Sequence, residues 1–220
     1  MMTLLSKAWL LALLVAVAFI PAACGGAGSD RQGGGSGGMA GMDHNQMGHD
    51  SMGMGSGGMA KQVVMKNGEY SDEAFIDAMV PHHQGAIAMA RVALKNAEHE
   101  EISELSRNIV SSQQAEIKEL KSIKQEEYGT SRVPMNMGMG QMKGMGMMMN
   151  PQALAHERPF DEAFIDAMIP HHQSAIEMAE VANHESENPR IKELAGNIVS
   201  AQKGEIERIR RWREQWYQEG

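Results

Sequence analysis

The chain has 220 residues, a net charge of −8, only 5% aromatic residues, and 24 glycines and 21 methionines. Because glycine and methionine gather in two tracts, the chain cannot be globular throughout, and roughly 120 residues remain for one compact core. The acidic balance argues against a nucleic acid or an anionic membrane surface as partner, since either calls for a basic stripe.

The N-terminus reads as an export signal. Lys7 precedes the apolar run Ala8 to Ile20, which is short for a membrane span, and Ala22-Ala23 then lead to Cys24, the only cysteine. The arrangement resembles a bacterial lipoprotein signal over residues 1–24, in which Cys24 becomes the lipidated first residue. Pro21 departs from that pattern, and a plain secretory peptide is the alternative. Either reading places the mature chain outside the cytoplasm. The first also anchors it to a membrane through lipid, at the cell surface or in the periplasm. With a single cysteine, no intramolecular disulfide is available.

Residues 25–61 are Gly/Ser-rich, with too few apolar groups to offset the entropy of ordering, and are expected to form a flexible tether. Met39, Met42, His44, Met47, His49, Met52, Met54 and Met59 recur through it. A second tract, with Met135, Met137, Met139, Met142, Met145 and Met147 to Met149, falls in an expected linker over 129–158. A plain spacer does not need these side chains. Thioether sulfur is a soft ligand suited to Cu(I), and outside the cytoplasm it survives where a thiol is oxidised. Auxiliary copper binding is therefore expected of the first tract, and also of the second, which lacks histidine. The alternative is a low-complexity spacer whose methionines are compositional drift.

Between and after these tracts one stretch occurs twice. Phe75-Ile76-Asp77-Ala78-Met79-Val80-Pro81-His82-His83-Gln84 returns as Phe164-Ile165-Asp166-Ala167-Met168-Ile169-Pro170-His171-His172-Gln173. The offset holds without a gap through Ile109/Ile198 and Glu116/Glu205 to Tyr128/Tyr217, which marks a tandem duplication over 69–128 and 159–217. At 3.6 residues per turn, Phe75, Met79, His82, His83, Ala86, Ile87, Met89 and Ala90 share one half of a helix that no charge interrupts. Ser71 or Asp72 caps its start. A second amphipathic helix follows in each copy, striped by Ile102, Leu105, Ile109, Gln113, Glu116 and Leu120 or by Ile191, Leu194, Ile198, Gln202, Glu205 and Ile209. Asn188-Pro189 is a strong start signal. Each repeat is thus a helical hairpin, and burying both apolar faces predicts an all-α four-helix bundle about a pseudo-twofold axis. No strand pairing is expected, Asn67-Gly68 having no strand pattern on either side.

On the wheel Met79 lies between His82 and His83, so a sulfur and two imidazoles can converge toward the bundle interior, with Met89 two turns beyond. Met168, His171, His172 and Met178 repeat the set. Imidazole with thioether suits copper best, as Cu(I) or Cu(II), with zinc and silver as competitors. The competing reading makes the histidines core residues bonded across the bundle to Gln113 or Glu116, and by repetition to Gln202 or Glu205, with methionines as filler.

The motif Phe-Ile-Asp-x-Met-Ile/Val-Pro-His-His-Gln-x-Ala-Ile-x-Met-Ala, followed by a helix with Gln-x-x-Glu-Ile, resembles the bacterial domain of unknown function 305 family. The resemblance implies a ferritin-like four-helix fold, and extracytoplasmic copper binding is associated with some members. It places Met79, His82, His83, Met89, Met168, His171, His172 and Met178 at the motif positions. The Met-rich tracts lie outside the stretch that carries it. The function expected is binding: capture, sequestration or carriage of copper in resistance or homeostasis. An alternative is a ferritin-like metal-dependent oxidoreductase, but such sites use Glu-x-x-His, which is absent from this chain. A structural lipoprotein module is a third possibility and leaves both His-His pairs without a purpose.

Overall fold

In the computed structural model of the chain, the described residues are 56–134, 138 and 150–217. Cys24, the Met/His positions 39–54 and the methionines from Met135 to Met149 lie outside them. Four long helices dominate: α2 (Asp72–Asn96), α3 (Glu100–Tyr128), α5 (Phe160–Glu185) and α6 (Pro189–Trp216). Two short ones precede the repeats, α1 (Ser56–Gln62) and α4 (Pro151–Leu154). The pattern of a helical hairpin in each repeat is realised, and the hairpins α2–α3 and α5–α6 dock into one four-helix bundle.

The helix starts follow local chemistry. Ser71 is the N-cap of α2, its hydroxyl accepting from the Ala74 amide, while Asn188 accepts from the Arg190 and Ile191 amides ahead of Pro189. The start of α3 is capped from the other repeat. Buried Asp161 accepts from the Glu98 and His99 amides and pairs with His99 Nδ1 at 2.7 Å. The His99 ring stacks on Trp216 at 3.8 Å, and Trp216 in turn stacks on Trp212. Both α2 and α5 continue through their internal prolines, Pro81 and Pro170.

Two expectations change. The tether was expected to run to Lys61, but Ser56–Gln62 is helical and packs against α5, because Ala60 and Val64 bury themselves in the core. Strands β1 (Met65–Lys66) and β2 (Glu69–Tyr70) form a small antiparallel hairpin where no pairing was expected. Its turn is Asn67-Gly68, both at positive φ, which matches the right-handed twist of paired strands. Strands of two residues are too short to show alternation in the sequence.

The apolar core is in two parts. Phe75, Ile76, Met79 and Val80 of α2 cluster with Ala175, Met178, Ala179 and Ala182 of α5, whereas Ala86, Met89, Ala90 and Ala93 cluster with Phe160, Phe164, Ile165 and Met168. The beginning of each helix therefore meets the end of the other, so α2 and α5 run antiparallel. The helices α3 and α6 change cluster too, between Ile109 and Leu120 and between Ile198 and Ile209.

Candidate metal centre

At the level where all four helices pass from one apolar cluster to the other, the core is polar. His82 and His83 on α2, His171, His172 and Ser174 on α5, Gln113 on α3, and Gln202 and Glu205 on α6 are all buried there. Glu116 stands beside them with 16% of its side chain exposed. The wheel explains the placement: Gln113 and Glu116, like Gln202 and Glu205, lie three residues apart on the face that also carries the isoleucines.

The two members of each His-His pair face different neighbours. Their ring centroids are 6.3 Å apart for His82/His83 and 6.4 Å for His171/His172. His83 and His172 turn to their own hairpins, with Nε2 of His83 2.8 Å from Glu116 Oε2 and Nε2 of His172 2.7 Å from Glu205 Oε2. The second contact is an aligned hydrogen bond. The first lies off the ring N–H direction, so it is a close polar contact without hydrogen-bond alignment. His82 and His171 instead meet each other across the repeat boundary, with centroids 3.8 Å apart and planes tilted by 43°.

The sets expected from the wheel, each confined to one helix, are therefore not what the fold gathers. Met79 shares its buried cluster with Met178, and Met168 shares the other with Met89, so the methionines sort by end of the bundle and flank the histidine layer on both sides. Among the described residues no three His, Cys, Asp or Glu side chains are drawn together as a closed cage. What the layer offers is nitrogen. His83 Nδ1, His172 Nδ1 and both ring nitrogens of His171 are buried without a hydrogen-bond partner, as are both polar atoms of the Gln202 amide.

Burial, and then the charges that His172 and His83 would carry, hold the His171 imidazole well below the usual histidine range. The ring is neutral at pH 7 and keeps a lone pair. His172 bonds Glu205 through Nε2 and has no hydrogen-bond partner at Nδ1, the division of roles seen where a carboxylate orients a metal-binding imidazole. A buried polar atom left unsatisfied costs about 1–3 kcal/mol, so a layer holding several is an expensive way to fill a core. Imidazole nitrogens with thioethers on both sides fit a soft or borderline ion.

One residue of this layer was not singled out in the sequence. Ser174 Oγ lies 2.8 Å from His82 Nε2, and the hydroxyl donates to the His171 carbonyl. Its counterpart in the first repeat is Gly85, a difference visible only when the two copies are laid side by side.

Comparison with known proteins agrees with the fold. The chain resembles CopM solved in its Cu(I)-bound form, at 37% identity and a TM-score of 0.60, covering 68% of this chain and 100% of that one. The Ag-bound form from co-crystallization gives 39%, 0.59, 68% and 100%, and the Cu(II)-bound form 40%, 0.62, 67% and 99%. An uncharacterized protein, L153, of Acanthamoeba polyphaga mimivirus is 41% identical over 46 residues, which span 21% of this chain and 30% of that relative. The model of the family described as "Domain of unknown function (DUF305)" matches residues 25–124 and 122–213. Those segments take in both Met-rich tracts, which the motif alone had left outside. The chain belongs to the DUF305 family and carries its domain twice.

Proposed function

We propose that this is an extracytoplasmic copper-binding protein, tethered to a membrane through lipid on Cys24, that holds ions in the polar layer between its repeats. The Met/His positions 39–54 and the methionines of the linker act as auxiliary ligands that raise local ion capture. The role is binding, sequestration or carriage in copper homeostasis rather than catalysis. The observation that carries this reading is the layer of buried imidazole nitrogens without hydrogen-bond partners, flanked at both ends by buried methionines. The likeness to CopM, solved with Cu(I), Cu(II) and Ag, supports it. Silver is accordingly a second ion of choice, and zinc a weaker competitor at the imidazoles.

Thermal unfolding separates bundle from tract. An ion held by the folded bundle stabilises it by about 2.7 kcal/mol at a hundredfold excess over Kd, whereas an ion on a segment that binds alike in folded and unfolded chains does not. Wild-type protein should melt higher with Cu(I) or Ag(I), and the double variant His82→Ala/His171→Ala should lose most of that rise while retaining ions on its tracts. An equal rise in the variant would contradict the site. For the anchor, Cys24→Ser should move the protein from the membrane to the soluble fraction, and retention in the membrane would place the anchor elsewhere.

A further inference from the structure

The two halves of the histidine layer are built from the same motif yet are not equivalent, and a single side chain distinguishes His82 from His171. The Ser174 hydroxyl spends its proton on the His171 carbonyl, so toward His82 its oxygen accepts and His82 Nε2 donates. That bond selects one tautomer of His82, with hydrogen on Nε2 and the lone pair on Nδ1. By the repeat symmetry His171 should meet the same group from Gly85, but glycine has no hydroxyl, and both His171 nitrogens are buried without a hydrogen-bond partner.

We propose that Ser174 is a positioning residue that fixes His82 as the Nε2–H tautomer and thereby confines an incoming soft ion to Nδ1 of that ring, whereas His171 can use either nitrogen. This rests on the reading of the layer as an ion site. Binding at His171 displaces no existing ring hydrogen bond and satisfies a stranded nitrogen. At His82 only Nδ1 is offered, because coordination through Nε2 would break a buried bond and leave the serine oxygen without its donor. The nitrogen through which the first repeat's histidine can join an ion is thus set by one hydroxyl on α5 of the second repeat.

Ring-nitrogen NMR of the full-length protein, with Ag(I) as a diamagnetic probe, tests both parts. In ion-free protein His82 should show a single tautomer with its proton on Nε2, and Ser174→Ala should release that restriction, a result that does not depend on any ion. On titration with silver the His82 nitrogen that shifts should be Nδ1, with Nε2 keeping its proton. Ser174→Ala should open Nε2 of His82 to the ion as well. A His82 proton on Nδ1, silver on His82 Nε2 in the wild type, or an exclusive use of Nδ1 that survives Ser174→Ala would overturn the proposal. Silence of all four rings in excess silver would overturn the ion site itself and the proposal with it, even if the ion-free tautomer were as stated.

Discussion

The two repeats keep some contacts and alter others, and the pattern separates what the duplicated fold requires from what each copy has acquired. Lys124 pairs with Asp77 and reaches Glu73 in the first repeat, and at the same offset Arg213 pairs with Asp166 and Glu162 in the second. His83 meets Glu116 as His172 meets Glu205. The differences lie at the ends of the bundle and at one position of the central layer. Lys124 is buried where Arg213 is 42% exposed, α3 is capped by a residue of the other repeat where α6 is capped by its own Asn188, and Ser174 replaces Gly85. Duplication preserved the histidine–carboxylate contacts and the cation paired with the aspartate of each motif, while the surroundings diverged.

The largest effect should come from breaking the cap that crosses the repeats. Asp161→Ala removes a buried carboxylate that serves two amides and a histidine, and should cost about 3 kcal/mol in chemical denaturation. Asp72→Ala, at the equivalent place in the first repeat, removes a partly buried side chain and should cost about a third as much. Equal costs would mean that the cap is not the source of the asymmetry. Next comes the paired cation. Lys124→Ala strands Asp77 next to a buried site and should cost about 2–3 kcal/mol, whereas Arg213→Ala should stay near 1 kcal/mol because solvent screens its partners. The smallest effect concerns the helix ends. Gly129 closes α3 at φ +71°, while α6 ends on Tyr217 at φ −129°. Nothing crowds a Cβ at Gly129, so Gly129→Ala should cost only the left-handed backbone, about 1 kcal/mol.

Much of the fold was legible because its signals are local. The 3.6-residue periodicity, Ser71, and Asn188-Pro189 each act within one or two turns, and the repeat itself announces that two hairpins must cover one another. The site was legible only as a set of residues. A helical wheel treats one helix at a time, so it grouped Met79 with His82 and His83. The antiparallel docking of α2 on α5 instead sorts Met79 with Met178 and sets His82 against His171. The hairpin at 65–70 escaped notice because two-residue strands carry no alternation, and the helix at Ser56–Gln62 because its stability comes from packing on α5 rather than from propensity. The Asp161 cap could not be seen because it joins positions far apart in the chain.

All of this turns on whether the central layer, and not the Met-rich tracts alone, holds the ion. The most direct measurement is a crystal structure of the full chain grown with Cu(I), with data collected at the copper absorption edge. The account predicts an anomalous peak between α2 and α5, bonded to ring nitrogens of the His82/His83/His171/His172 layer. Copper found only on the methionine tracts, with the four rings arranged as they are here, would contradict it.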